Sequence, residues 1–243
     1  MNTQYTPIAS AYVAIKDDDP ADRVAIFPTF YEACGDVRGK SVLELCCGEG
    51  RAGRGLLVRG ARHVVGVDEN PSMLALARER QVANTDYRQL TVGKMGQIGL
   101  FDLIVGPWTL HYSMSELELF AMFRDVAVNL KPGGLFVGLN EDPQRPFGGT
   151  ERIGSTSHPA GDPLVDGCPV TVTIYGNGES AAFRTYHWFL GTYRAAARAA
   201  GLELSIIPFR ITAEGRTEMG DDWCREFEAN ICSCVFVCRH IQT

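Results

Sequence analysis

The chain has 243 residues, 45% of them hydrophobic and 21% charged, with a formal net charge of −6. That length can bury a full core and suits a single α/β domain. The acidic balance lacks the clustered Lys and Arg that nucleic-acid phosphates demand. No apolar run reaches membrane-spanning length and no signal-peptide core opens the chain, so no membrane partner and a cytoplasmic location are expected.

In chain order, residues 1–20 carry Tyr5-Thr6-Pro7-Ile8-Ala9 and read as a surface helix. Val24, Phe27, Tyr31 and Cys34 recur at helical spacing, which predicts an amphipathic helix that Pro28 disturbs. Val42-Leu43 then runs into Glu44-Leu-Cys-Cys-Gly-Glu-Gly-Arg-Ala-Gly53, a strand, a tight glycine turn and a helix start. Backbone N–H groups at such a start point at a ligand. Gly48-x-Gly50-x-x-Gly53 satisfies the dinucleotide pattern, yet Glu44 and Glu49 flank it with only Arg51 in opposition. That balance disfavours a pyrophosphate and favours a cationic ligand. His63 to Val67 reads as a buried strand ending in Asp68-Glu69, and an acidic residue about 20 positions past the glycines suits a ribose diol. Asn70 caps the next helix, with Pro71 at its first position.

Met73, Leu74 and Ala77 mark the buried side of that helix, and residues 87–92 read as a third strand. Phe101 to Val105 is the fourth, followed by Gly106-Pro107-Trp108-Thr109-Leu110-His111-Tyr112 at the strand end where α/β folds bind ligands. Ser113 with Glu116 forms a capping box, and Phe120, Phe123, Ala127 and Leu130 supply a helical stripe. Leu135 to Leu139 is the fifth strand, ending at Asn140-Glu141-Asp142. Residues 143–169, rich in proline and glycine, read as an irregular excursion. A hairpin follows, from Val170 to Tyr175 and Ala182 to Phe189 around Asn177-Gly178. Thr192 to Ala200 is a helix closed by Gly201, and Leu202–Pro208 and Ile231–Val237 are the last strands.

The eight cysteines include no C-x-x-C pair and read as small apolar core residues of a reduced protein. The five histidines are scattered, none paired at i, i+4, so no metal site is expected. Acid–base candidates are His111, Tyr112, His187 and Glu141. A free imidazole titrates at about 6.5, so His111 could take a proton near neutrality. Trp188 and its aromatic neighbours suit either a planar acceptor or a core.

Glu44 to Gly50, joined to Asp68, resembles the first and second motifs of the class I S-adenosylmethionine-dependent methyltransferases. The first motif typically reads acidic-Leu-Gly-Cys-Gly-x-Gly, and Cys46 stands here where its first glycine would be. The Leu-Lys-Pro-Gly-Gly run ending at Gly134 is a further family feature. The resemblance covers residues 40–140. It implies S-adenosylmethionine as cofactor, held by Glu44, Cys46, Gly48, Glu49, Gly50, Asp68, Glu69, Met73 and Pro107. It also implies that Tyr5 lies over the donor, although Thr6 stands where Asp is usual. The family's adenine-binding acidic residue is replaced by Gly93-Lys94-Met95, so adenine recognition would fall to backbone groups at Lys94 and to Met95.

The expected architecture is one doubly wound α/β domain over 1–243, a Rossmann-like methyltransferase fold. Its seven-stranded sheet is mostly parallel with the last strand antiparallel, under a lid made of 1–20 and 143–190. The expected reaction is methyl transfer to N or O of a small-molecule acceptor by a monomer or homodimer, with His111, Tyr112 and His187 as catalytic candidates. The opening segment and the lid resemble methyltransferases of bacterial secondary metabolism, including the toxoflavin N-methylating type. A nucleotide-dependent oxidoreductase and a catalytically silent donor-binding subunit are the alternatives.

Overall fold

Apolar runs separated by glycine turns build the central sheet of the protein, seen here in a computed structural model. The structure describes residues 4–145 and 147–241. Residues 1–3, 146 and 242–243, assigned above to the two lid segments and the domain's end, lie outside the described residues. The strands in chain order are β1 (Ser41–Leu45), β2 (His63–Asp68), β3 (Thr85–Gln89), β4 (Phe101–Pro107), β5 (Leu130–Glu141), β6 (Gly148–Thr150), β7 (Ser155–Pro159), β8 (Cys168–Gly176), β9 (Glu179–His187), β10 (Leu202–Pro208) and β11 (Ser233–His240). The helices are α1 (Ala9–Asp17), α2 (Phe27–Cys34), α3 (Arg51–Val58), α4 (Pro71–Glu79), α5 (Glu116–Asn129), α6 (Leu190–Ala199) and α7 (Ala213–Asn230).

Seven strands form one sheet in the order β10-β11-β5-β4-β1-β2-β3, parallel except for β11, which runs antiparallel to both neighbours. Buried strands alternate their side chains between two apolar layers. On β5, Leu135, Val137 and Leu139 join Phe30, Leu56 and Phe227 on one face, while Phe136 joins Phe123, Tyr193 and Phe236 on the other. Helices therefore cover both faces, and the sheet is doubly wound. The strand order reverses between β1 and β4, which is where such folds open a crevice for ligands.

The remaining four strands form a separate antiparallel sheet, β6-β7-β8-β9, inserted after β5. The hairpin expected around Asn177-Gly178 joins β8 to β9, with Asn177 and Gly178 both at positive φ. β6 and β7 lie within the stretch read from sequence as irregular. They are short and punctuated by glycine and proline, so no alternating pattern exposes them. α7 was not anticipated either. It is polar, and Gly220 at φ +77° interrupts it. β3 begins two residues earlier than expected. Pro28 has its predicted effect: the turn before it, Asp22–Ile26, widens into a π-helix. A proline cannot donate to the carbonyl four residues back, and its ring crowds that carbonyl.

α1 is clasped to the second sheet. Gln4 exchanges hydrogen bonds with the Arg184 backbone on β9, donating from Nε2 at 3.0 Å and accepting on Oε1 at 2.8 Å. Asn177 donates to the Ala14 carbonyl at 3.0 Å.

Candidate functional site

A cavity of about 780 Å³ opens at the C-terminal ends of β1, β2 and β4, within the size range of small-molecule sites. Its floor is the turn after β1. Cys46 sits there at φ +48° and Gly48 at φ +55°, so the left-handed backbone that a glycine would adopt freely is imposed on a cysteine. The Gly48 N–H donates to Asp68 Oδ2 at 2.8 Å, and the Asn70 N–H to Asp68 Oδ1 at 2.8 Å. Asp68 thus ties the glycine turn to the start of α4, where Asn70 Oδ1 accepts from the N–H groups of Ser72 and Met73. Burial pushes the Asp68 carboxyl up from its ordinary value.

The two glutamates of the turn have other duties than sequence suggested. Glu44 is almost fully buried and its Oε2 accepts from the Gly53 N–H at 3.0 Å, capping α3 from the neighbouring strand. Burial, and next the charge of Glu49, raises its carboxyl to about 8. Glu49 is ion-paired with Arg54, and with Arg80 at 3.5 Å. Arg51, read above as the sole opposing cation, instead reaches the Asp22 carboxylate at 2.8 Å and the Lys16 carbonyl at 2.6 Å. Asp68 and Glu69 stand together in the cavity wall at the end of β2. Glu69 accepts from the Thr91 hydroxyl at 3.1 Å.

Of the residues anticipated for the cofactor, Tyr5, Glu44, Cys46, Gly48, Glu49, Asp68, Glu69, Met73, Lys94 and Pro107 line this cavity. Gly50 and Met95 do not. Gly50 turns the chain at φ +80° beneath the loop, and Met95 packs on the apolar layer below. The loop they were read with is organised by Asp125 of α5, whose Oδ2 accepts from the N–H groups of Gly93 (2.7 Å) and Met95 (3.2 Å). Those backbone groups are thus already bonded. The cavity wall there is Thr91, Val92, Gly93 and Met122.

The opposite wall is aromatic. The Tyr5 and Tyr112 hydroxyls share a hydrogen bond, and Tyr5 meets Tyr12 edge-on at 5.2 Å and Phe183 of β9 at 5.4 Å. Burial drives both the Tyr5 and Tyr112 phenols well above their ordinary value, so both stay protonated. Tyr12 and Phe183 had no sequence signal. They reach the site because α1 is clasped to β9.

Trp108 follows β4 at φ +61°, uncommon for a bulky residue, with its N–H bonded to the Leu139 carbonyl at 2.9 Å. It stacks on His111 at 5.9 Å, and His111 meets Tyr112 edge-on at 4.6 Å. His111 does not line the large cavity. It faces an adjoining one of about 60 Å³. Burial alone pushes its imidazole down to about 3, far from the value assumed above. His187 lines neither cavity. It is buried between Phe147 and Phe189, and that burial lowers its imidazole. Trp188 belongs to the apolar core beside Leu110 and Tyr193, its Nε1 donating to the Ser113 carbonyl at 3.2 Å. Among the described residues no cluster of three His, Cys, Asp or Glu is placed to hold a metal ion, and no helix is long and apolar enough to cross a membrane.

Residues 42–134 match the family model described as a methyltransferase domain. The chain is 30% identical over 121 residues to a ubiquinone biosynthesis O-methyltransferase of Acinetobacter baylyi, covering 46% of this chain and 49% of that one. It is 34% identical over 117 residues to an uncharacterized methyltransferase of Synechocystis sp., covering 48% and 50%. The aligned region thus spans about half the length of the curated relatives. An S-adenosylmethionine-dependent methyltransferase from Mesorhizobium loti superposes with a TM-score of 0.65 at 21% identity, over 92% of this chain and 99% of that one. This last likeness is one of fold.

The residues at this turn fit S-adenosylmethionine, the cofactor that these likenesses imply. The Asp68 carboxylate accepts from the backbone N–H groups of Gly48 and Asn70, and two oxygens with about four lone-pair sites leave capacity for ribose hydroxyls. The turn presents backbone rather than side chain at Gly48, where a Cβ would lie 3.1 Å from the Met73 methyl.

Proposed function

We propose that the chain transfers a methyl group from S-adenosylmethionine to N or O of a small-molecule acceptor. The observation that carries this reading is the cavity of about 780 Å³ that Asp68 and the glycine turn line together with the Tyr5, Tyr12, Tyr112 and Phe183 aromatics. The bound cofactor supplies a methyl group already activated by its sulfonium. The protein's task is alignment and exclusion of water. Asp68 would hold the ribose hydroxyls, Glu69 and Lys94 flank the nucleoside, and Met73 packs beneath the turn. The aromatic wall suits a sulfonium or an ammonium, since ring faces attract cations.

In this reading the lid consists of the segment 1–20 and residues 143–190, over a single domain. Phe183, Arg184 and Tyr186 of β9 and Tyr5 and Tyr12 of the opening segment reach the cavity from that side, which supports it. Eight free cysteines suit the reducing cytoplasm, and the lid style suits secondary metabolism in a monomer or homodimer.

Calorimetry tests the reading. S-adenosylmethionine and S-adenosylhomocysteine are expected to bind, and NAD and NADP not to bind. Asp68→Ala should weaken donor binding by about 1–3 kcal/mol, since it leaves ribose hydroxyls unpaired. Tight NAD binding without sulfonium binding would instead make the chain a nucleotide-dependent oxidoreductase. Donor binding without turnover on any amine, phenol or enol would favour a silent donor-binding subunit.

A further inference from the structure

The small cavity beside the donor site is built unlike a core void. It lies between the ends of β4 and β5, the second sheet and the Asp19–Ile26 segment, and it shares Tyr12, Lys16, Trp108, Tyr112 and Phe183 with the large cavity. At about 60 Å³ it has room for a small polar group. Two side chains more than nine-tenths buried face it with unmet hydrogen-bonding capacity. Glu141, at the last position of β5, is 7% exposed; Thr185 donates to its Oε1 at 2.7 Å, while its Oε2 has no partner among the described residues. His111 is 3% exposed, and neither of its ring nitrogens has a partner there. Leaving such groups unsatisfied costs about 1–3 kcal/mol each, more for a charge. A site that tolerates this is built to be completed by a ligand.

The chemistry of the lining narrows that ligand. Lys16 is already held by the carboxylates of Asp19 (2.5 Å) and Asp22 (3.0 Å), so it has little left to offer an anion. Among the described residues no cation pairs with Glu141. A neutral imidazole offers one accepting nitrogen, and Trp108, Tyr112, Tyr12 and Phe183 offer aromatic surface. A carboxylate, an accepting nitrogen and aromatic faces together match a group with several N–H donors and a positive charge. A carboxylate or phosphate ligand would meet Glu141 head-on.

We propose that this cavity is an acceptor subsite for an ammonium group, held by Glu141 Oε2 and an imidazole nitrogen of His111, so that the methyl acceptor is a small amine-bearing molecule. This rests on the methyltransferase reading for the word acceptor, but not for the binding itself.

The test uses the full chain at pH 8 and three small probes that each carry one methyl group: ¹³C-labelled methylammonium, methanol and acetate, titrated by NMR with and without S-adenosylhomocysteine. Methylammonium should bind at least about 10-fold tighter than either counterpart. Glu141→Gln, which keeps the side chain's shape, should weaken methylammonium by about 10-fold or more, the worth of a charge-assisted bond, while S-adenosylhomocysteine affinity is retained. Acetate or methanol binding wild type as tightly as methylammonium would overturn the proposal. So would unchanged methylammonium affinity in folded Glu141→Gln. The wild-type comparison decides by itself if that variant does not fold. Failure of S-adenosylhomocysteine to bind wild type would count against the methyltransferase reading instead, and the probe titrations on the chain alone would still decide the subsite.

Discussion

Gly53→Val is expected to cost the fold about 3 kcal/mol and to lower donor affinity by about 10²-fold. Gly53 stands in the first turn of α3, and a Cβ built there would collide with the Glu44 carboxylate and with Val64 of β2. Neither neighbour is a free surface chain. Glu44 and Val64 are both buried, one capping α3 and the other in the apolar layer. The helix must therefore lift from the sheet, and the turn that carries Gly48 and Gly50 moves with it. Loss of two hydrogen bonds to the donor would account for the fall in affinity. For a domain of this size 3 kcal/mol corresponds to a melting shift of about 6–12 °C. Gly191→Ala is the control, because a Cβ on that helical glycine meets nothing within 4 Å. It should be neutral or slightly stabilising. Calorimetric melting and donor titration on both variants give the answer. A Gly53→Val protein that melts within about 1 °C of wild type and binds donor normally would refute the close-packing account.

The parts of this site that sequence could show are those set by local backbone rules. A glycine turn between strand and helix, an acidic residue at the next strand's end and an Asn-Pro cap each have a short-range cause. Asp68, Gly48 and Asn70 accordingly meet as one hydrogen-bonded unit. What sequence could not show depends on which distant segments meet. Glu49 was read as opposed only by Arg51, but Arg54 and Arg80 pair with it, the second from a different helix end. Asp125 sits mid-helix with no motif, yet it organises the loop from Gly93 to Met95. Tyr12 and Phe183 are 171 positions apart, and the Gln4 and Asn177 hydrogen bonds, with Ile15 packed on Ile174 and Ala181, bring α1 to the second sheet. The second sheet was half visible because β8 and β9 alternate around a turn with a strong signature. β6 and β7 are too short to show a period.

His111 tests how far burial outweighs residue type. Its position after β4, beside the expected methyl group, made it one candidate base among four, since a free imidazole titrates near neutrality. The structure removes the solvation on which that value depends, and burial holds the imidazole at about 3. A group so hard to protonate stays neutral from about pH 5 to pH 8 and cannot produce a limb in a rate profile there. Single-turnover methyl transfer by His111→Asn, with chelator present, should therefore keep the wild-type shape against pH even if its amplitude falls. The same burial makes a prediction for stability. In the unfolded chain His111 titrates at about 6.5, and in the folded protein near 3. Its contribution is fully present above pH 6.5 and is lost as pH falls toward 3, because over that interval only the unfolded state takes the proton. The slope is about 1.4 kcal/mol per pH unit between the two values, giving a loss of about 2 kcal/mol by pH 5 and about 4 kcal/mol by pH 3. Urea unfolding of wild type and His111→Asn across that range should show the variant gaining on wild type as the solution is acidified. A constant difference between the two proteins would mean that His111 is protonated normally in the folded state, and the case for it as a base at neutral pH would return.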